Sequence, residues 1–125
     1  MRLLIDTHVV LWRASGERSI SMAARTAIEE ASELFVSVVS FAEIGGKVAI
    51  GKLAVAGDLR AHVLDGGARI LPLEAEHGLA VGGLPMHHRD PFDRLLIAQA
   101  RAERLAVVTA DPRFGAYDVA VVDAA

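Results

Sequence analysis

The sequence predicts an α/β fold in three layers, with a central, mostly parallel sheet of about five strands between helices. Its strand-like runs are apolar throughout, which is typical of strands covered on both faces. Helical patterns alternate with these runs, as they do where crossover helices join parallel strands. No linker, repeat or low-complexity stretch interrupts the 125 residues, so we expect a single domain over residues 1–125.

The periodicity of apolar residues and the positions of turn-forming residues predict the strands and helices in chain order. Strands are predicted at five apolar runs: residues 3–6, 34–39, 69–73, 105–109 and 119–122. Helices are predicted at residues 8–14, 21–33, 41–50, 58–65, 74–81 and 91–103, with a loop at 82–89. Gly51 ends the third helix. Asp90 fits the N-cap of the last helix and Pro91 its first turn, since both residue types are usual there.

Composition excludes several classes of protein. A hydrophobic fraction of 53% and a mean hydropathy of +0.38 exclude disorder as a description of the whole chain. The densest apolar stretch, residues 34–42, is closed by Glu33 and Glu43 and is too short to span a membrane. The first apolar run stops at Asp6, too early for a signal peptide. We therefore expect a cytoplasmic protein with no membrane partner.

The cysteine count and the charge count limit the kinds of metal site and partner that the chain can have. The absence of cysteine excludes disulfides, thiol catalysis and cysteine-based zinc sites, so any metal must have oxygen or nitrogen ligands. The formal charge of −3 argues against binding nucleic acid by net positive charge. If four of the 16 acids share one metal site, however, the remaining 12 face 13 Lys and Arg residues. Nucleic acid therefore stays open as a partner.

Five acidic residues are predicted to meet at one edge of the sheet. In a parallel sheet, ligand sites lie at the carboxyl ends of the strands. Asp6 ends a strand, and Asp111 follows a strand by two residues. The other three acids, Glu43, Asp90 and Asp93, lie at the starts of helices that begin at this edge.

Each acid also has a purely structural explanation. Ser40 and Glu43 fit a capping box, Asp90 an N-cap and Asp93 a favourable charge near a helix start, while the other two fit turns. Clustering favours a bound cation, because two unit charges 4 Å apart repel by about 4 kcal/mol at an effective dielectric of 20. Oxygen ligands favour Mg²⁺, with Mn²⁺ as an alternative, and such a site is suited to hydrolysis of phosphate esters.

His87 and His88 are adjacent in the sequence. A zinc site formed by both is the less favoured interpretation, because neighbouring loop residues point in different directions. Surface or substrate-contact roles are the other interpretation. Sequence motifs for phosphate-binding loops, dinucleotide binding and serine hydrolases are absent. The acidic cluster is therefore the main candidate site.

Four segments together resemble the PIN-domain ribonucleases of the VapC toxin type. They are LLIDTHVVLW at 3–12, VSVVSFAEIGGKVAIGKL at 36–53, HRDPFDRLLIAQA at 88–100 and VVTADPRF at 107–114. One departure is Ala42, where this branch commonly has Trp or a similar bulky residue, followed by Gly45 and Gly46. The departure affects the expected shape of the groove and not the acids.

The resemblance implies a site and a mechanism. Asp6, Glu43, Asp93 and Asp111 would hold Mg²⁺ or Mn²⁺, and a metal-activated water would attack an RNA phosphodiester. Asp90 and Thr109 would support the site. Three arginines are candidates for contact with the RNA backbone, although each is equally explained as a solvated charge: Arg89, Arg94 and Arg113.

The resemblance also implies the partners. The protein would be the toxin of a type II toxin–antitoxin pair, a homodimer that cleaves RNA until a cognate antitoxin covers its site. The high apolar fraction is consistent with a dimer, with the helices at 21–33 and 74–81 as contributors. Two alternatives stay open: a non-catalytic binding module of the same fold, and a metal-dependent hydrolase of small phosphate esters.

Overall fold

The computed structural model of the chain describes residues 1–16 and 19–125. In these residues the centre is a sheet of five strands: β1 (Arg2–Ile5), β2 (Glu33–Ser37), β3 (Arg69–Leu71), β4 (Ala106–Thr109) and β5 (Val121–Asp123). The strands lie in the order β3-β2-β1-β4-β5, and all four pairings are parallel. The predicted α/β class is confirmed, and this part of the chain forms a wholly parallel sheet.

Six α-helices accompany the sheet in the described ranges. They are α1 (Thr7–Ser15), α2 (Met22–Glu30), α3 (Val38–Ala49), α4 (Leu59–Asp65), α5 (Ala75–Ala80) and α6 (Pro91–Glu103). Two short 3₁₀ turns, Val81–Gly83 and Pro112–Ala116, follow α5 and β4. None of the helices described is long and apolar enough to cross a membrane.

Three predicted boundaries differ from the structure here: the end of the second strand, the start of the third helix and the end of the second helix. The second strand ends at Ser37, two residues early, because the Ser37 hydroxyl accepts the backbone N–H of Val39 at 3.0 Å and so starts α3 at Val38. The second helix ends at Glu30 and not at Glu33, which instead opens β2. A one-turn shift of α3 matters for the site, because this helix carries Glu43.

The hydrophobic core lies on both faces of the sheet, which confirms the three layers. On one face, Leu3 and Ile5 of β1 pack with side chains of α1, α2 and α4. On the other face, Leu4 packs with α6 residues such as Leu96 and with Phe114. This alternation follows from the twofold side-chain period of a strand. The sheet is therefore rigidly held, and its carboxyl edge forms a fixed platform for the groups that follow the strands.

The order of the strands determines where a crevice lies at the carboxyl edge of the sheet. β2 and β3 continue from β1 in one direction, whereas β4 and β5 continue in the other. Connections leave this point toward opposite faces, so a crevice forms at the carboxyl ends of β1 and β4. Asp6 follows β1 directly and Thr109 ends β4, so both residues border the crevice.

Candidate active site

Asp6 and Thr109 form the floor of the crevice. Asp6 occupies the N-cap position of α1, but its carboxylate makes no capping bond, and the residue is only 2% exposed. Its Oδ2 accepts a hydrogen bond from the Thr109 hydroxyl at 2.8 Å. The same hydroxyl accepts the backbone N–H of Asp111 at 3.0 Å, which holds the turn after β4. Thr109 thus joins two of the predicted acids.

Glu43 enters the site from α3, and it does not cap that helix. The N-cap is Ser37, and Ser40 lies within the helix, where its hydroxyl pairs with Thr7 of α1 at 2.8 Å. The capping-box interpretation of Ser40 and Glu43 is therefore wrong. Glu43 is 4% exposed, and its Oε2 accepts a hydrogen bond from Lys47 Nζ at 2.7 Å. One full turn of helix separates the acid from this cation.

Asp90 and Asp93 lie at the start of α6. Asp90 is its N-cap, as the sequence predicts, because Oδ1 accepts the backbone N–H of Asp93 at 2.9 Å. The Asp93 carboxylate turns inward, and its Oδ2 lies 2.7 Å from Nε2 of His88. The two acids therefore have different surroundings: one serves the helix, and the other faces the crevice.

Asp111 lies on the opposite side of the crevice, beyond β4. Arg113 contacts both of its oxygens, with Nε 3.0 Å from Oδ1 and Nη2 2.8 Å from Oδ2. This guanidinium is the main reason that the pKa of Asp111 lies below its ordinary value. Arg113 itself is exposed, so the pair is open to solvent and to ligands.

Two acids of the cluster, Asp6 and Asp93, have pKa values above the ordinary range. Burial is the main cause that raises the pKa of Asp93 to about 8, and the charges of the other four acids of the cluster add to it: Asp6, Asp90, Glu43 and Asp111. Burial also raises the pKa of Asp6, against the opposing hydrogen bond from Thr109. The charges of these four acids therefore act on the same carboxyl group, that of Asp93.

Two buried carboxylate oxygens of the site lack a hydrogen-bond donor among the residues that the structure describes. Oδ1 of Asp6 and Oε1 of Glu43 are buried and have no hydrogen-bond partner in the described part of the chain. A buried carboxylate oxygen without a partner is costly, and a divalent cation supplies such a partner. One carboxylate oxygen of Asp93 and one of Asp111 also lie within 4.8 Å of each other, beside the ring of His88. The donor set therefore fits a hard divalent cation.

His88 is a member of the site that the sequence interpretation missed. Its side chain is buried between the acids, whereas His87 is exposed and meets the ring of Tyr117 edge-on, so the neighbours do point in different directions. A local signal was present in the sequence. A residue two positions before an N-cap such as Asp90 lies beside the first turn of the helix, close to Asp93.

The three arginines expected at the RNA backbone have different positions. Arg89 and Arg113 are exposed and line the groove over the acids. Arg94 is 7% exposed, and its guanidinium donates to carbonyl oxygens of the preceding loop: Val81, Leu84, Pro85 and His88. It is therefore a structural residue, and the expectation of a direct RNA contact is wrong for Arg94.

The groove itself combines an acidic floor with a basic rim. It is open, encloses about 650 Å³, and is lined by Glu43, Asp90, Asp93 and Asp111 together with the cations Lys47, Arg89 and Arg113. His8 and His87 add two more rings to its border. Such an arrangement can hold a cation at the floor and a polyanion along the rim.

Comparison with known proteins places the chain among a defined group. The model of the PIN domain family matches residues 3–120. Ribonuclease VapC22 of Mycobacterium tuberculosis (strain ATCC 25618 / H37Rv) is 34% identical over 123 residues, which cover 92% of this chain and 91% of that protein.

Solved structures agree in fold. VapBC2 from Rickettsia felis, bound to a DNA fragment from its promoter, has a TM-score of 0.72 at 15% identity and covers all of both chains. DNA-bound VapBC from Salmonella typhimurium has a TM-score of 0.68 at 16% identity, with 98% of each chain covered. At these identities the likeness supports the shared architecture alone.

Proposed function

This chain belongs to the PIN-domain family, in its VapC branch, and on that premise we propose that it is a magnesium-dependent endoribonuclease acting as the toxin of a toxin–antitoxin pair. The observation that carries the proposal is that Glu43, Asp93 and Asp111 line one open groove with a rim of cations, and that the charge of the buried Asp6 acts on Asp93 from beneath it. The identity to a VapC ribonuclease over nearly the whole chain supports the same activity. In this function residues 1–125 act as a single catalytic domain.

The metal is assigned to four carboxylates: Asp6, Glu43, Asp93 and Asp111. Oxygen-only ligands favour Mg²⁺, and Mn²⁺ would substitute for it. A bound divalent ion lowers the pKa of a water and offsets negative charge that develops on a phosphodiester. The two oxygens of Asp6 and Glu43 support this assignment, because both are buried and have no hydrogen-bond partner within residues 1–16 and 19–125.

The chain's own groups supply position and charge. Thr109 fixes one oxygen of Asp6, and Asp90 fixes the first turn of α6 and so the direction of Asp93. Arg89 and Arg113, at the exposed rim, would contact the phosphates of single-stranded RNA. In this arrangement the acids hold the metal and the exposed cations contact the substrate.

The antitoxin is the second proposed partner. The VapBC structures are toxin–antitoxin complexes of related fold, and we extend that assembly to this chain. An antitoxin segment suited to the groove would place Arg or Lys against the carboxylates, or apolar side chains along the groove. The proposal places both proteins in the cytoplasm, together with the RNA substrate.

We also propose a homodimer. Met22 of α2 is 73% exposed and Leu79 of α5 is 81% exposed, and these helices cover the two segments that composition favours for the interface. Large apolar side chains at such exposure are typical of surfaces that a partner covers. In a symmetric dimer these two side chains would be buried in both protomers.

The deciding experiment compares wild type with Asp6→Asn, which keeps the side-chain shape and removes one charge. We expect wild type to cleave RNA with Mg²⁺ and not with a chelator, and the variant to be inactive while still folded. In cells, wild type but not Asp6→Asn should stop growth, and coexpression of the product of a small neighbouring gene should restore it.

Each alternative function has its own outcome in this experiment. Binding of RNA without cleavage by the wild-type protein would indicate a non-catalytic module. Hydrolysis of a chromogenic phosphate ester without cleavage of RNA would indicate a phosphatase. Equal growth of the two cultures, with both proteins soluble, would contradict the toxin role.

A further inference from the structure

His88 has an unusual place in the site, because its ring lies between two of the acids. The residue is 4% exposed. Its Nε2 is 2.7 Å from Oδ2 of Asp93 and 3.5 Å from Oδ2 of Asp111. By distance alone, His88 can be either a metal ligand beside the two carboxylates or a hydrogen-bond donor to them.

The other ring nitrogen distinguishes these two roles. Nδ1 of His88 lies 3.3 Å from the backbone nitrogen of Asp90, whose N–H points at it. A backbone N–H can only donate, so Nδ1 must carry a free lone pair. In a neutral imidazole the proton then lies on Nε2, which becomes a donor and has no lone pair for a metal. The ring thus faces Asp93 with its N–H.

The loop around His88 is held firmly enough to keep this orientation. The backbone N–H of His88 donates to the Tyr117 hydroxyl at 2.8 Å, and its carbonyl accepts from Arg94 at 3.2 Å. The ring also meets the ring of Phe114 edge-on, with 6.2 Å between centroids. Both sides of the residue are therefore fixed by buried partners, so the imidazole is directed at the site by the fold.

We propose that His88 is a positioning residue and not a metal ligand. Its Nε2–H holds Oδ2 of Asp93 next to Asp111, and this leaves Oδ1 of Asp93 to the divalent cation. Hydrogen-bond partners of metal-binding side chains fix their orientation in this way. Withholding the imidazole lone pair also favours oxygen-preferring ions such as Mg²⁺ over Zn²⁺. The cation's role in cleavage rests on the proposed function, whereas the tautomer of His88 does not.

The first test reads the tautomer directly in the wild-type protein. Long-range ¹H–¹⁵N spectra of the imidazole rings, recorded without metal in mildly alkaline solution, distinguish a protonated nitrogen from a free one. The signals of His88 are identified by their loss in His88→Gln. We expect a protonated Nε2 that stays protonated when Mg²⁺ is added. A proton on Nδ1, or loss of the Nε2 proton with Mg²⁺, would overturn the proposal.

The second test separates the donor from the ring by Mn²⁺ titration. The side-chain amide of His88→Gln places an N–H near the position of Nε2, whereas the shorter His88→Asn does not reach it. We expect Mn²⁺ association to fall by roughly 10- to 100-fold in the Asn variant. In the Gln variant it should stay within a few-fold of wild type. Equal losses in both variants, or no loss in either, would contradict a positioning role.

A matched control and a folding check complete the design. His62→Gln makes the same change at an exposed histidine on α4 and should bind Mn²⁺ as wild type does. Thermal unfolding in chelator shows whether each variant is folded, and the spectra of the wild type decide the matter if His88→Asn is not. Absence of RNA cleavage would contradict the proposed function and leave both results on His88 intact.

Discussion

The Thr109 hydroxyl donates a 2.8 Å hydrogen bond to Oδ2 of Asp6, a residue 103 positions earlier in the chain. Parallel pairing brings the two together, because Ile5 lies opposite Val108 and the next residue on each strand borders the crevice. The bond uses one carboxylate oxygen, and none of the groups that the structure describes pairs with Oδ1. Thr109 therefore determines which oxygen of Asp6 is available to a cation.

The first prediction concerns this bond. Thr109→Val keeps the shape of a fully buried side chain and removes the donor, so the pKa of Asp6 should rise further above its ordinary value. We expect metal affinity and RNA cleavage to fall by roughly 10- to 100-fold. Thr109→Ser retains the hydroxyl and should recover most of the activity. Equal cleavage rates for wild type and the valine variant would show that the bond has no role.

The second prediction is a pH dependence of stability in the metal-free protein. Folding raises the pKa of Asp93 from 3.8 to about 8. Between these values the folded protein keeps a proton that the unfolded chain has released, so stability must fall as pH rises through this interval. Asp93→Asn does not titrate and should remove this loss. Melting temperatures in chelator across the interval test it, and equal slopes for the two proteins would contradict the buried-acid explanation.

The third prediction separates the N-cap serine of α3 from the acid that this helix carries. Glu43→Gln should abolish cleavage with little change in stability, because Glu43 does not cap the helix. Ser37→Ala should destabilise the fold by about 2 kcal/mol, since it removes both the true N-cap and the donor to the buried Gln99 Oε1. Chemical denaturation measures both. If Glu43→Gln has a lower free energy of unfolding than Ser37→Ala, the role of Glu43 is structural.

Much of this architecture follows from short-range signals. Apolar strands alternating with helices determine a parallel sheet, and a parallel sheet places Asp6, Glu43 and Asp111 at one edge whatever the details of packing. The start of α6 was predicted for the same kind of reason, because Asp90 and Pro91 act within one turn. Local rules were sufficient wherever the determining atoms lie a few residues apart.

The residues that were misjudged depend on contacts with distant loops. The partners of Arg94 are backbone carbonyls of the irregular segment after α5, and no hydrophobic period describes that backbone. The burial of His88 likewise requires Tyr117, which lies 29 residues further along the chain. In both cases the side chain's surroundings are created by tertiary structure, so residue type alone suggested a surface role.

The fourth prediction contrasts two arginines that the sequence placed in one class. Arg89→Ala should leave stability unchanged and reduce RNA affinity, with the slope of log K against log salt falling by roughly 0.7 for one lost phosphate contact on a single strand. Binding is measured in the Asp6→Asn background, which prevents cleavage. An unchanged slope would remove Arg89 from the RNA-binding surface.

Arg94 should behave in the opposite way. Arg94→Met removes the donors to four backbone carbonyls, which at about 1 kcal/mol for each bond destabilises the fold by about 4 kcal/mol. Arg94→Lys should not recover this stability, because one ammonium cannot span the set. Denaturation curves decide the point, and a stable Arg94→Met variant that binds RNA weakly would reverse the assignment.

The fifth prediction tests the proposed dimer at Leu79. This side chain is 81% exposed in the single chain, so Leu79→Lys removes little from the stability of the monomer. In a symmetric dimer both copies would be buried, and each burial is worth about 1.5–3 kcal/mol. Light scattering at micromolar concentration should give a dimer for wild type and a monomer for the variant.

The control for Leu79→Lys is Leu64→Lys. Leu64 is also the penultimate residue of a short helix and is 45% exposed, but it lies on α4, outside the two helices assigned to the interface. A lysine near a helix carboxyl end is favoured by the helix dipole in both variants, so local helix stability does not separate them. A dimeric Leu64→Lys beside a monomeric Leu79→Lys would locate the contact at α5, whereas a monomeric wild type would exclude the dimer.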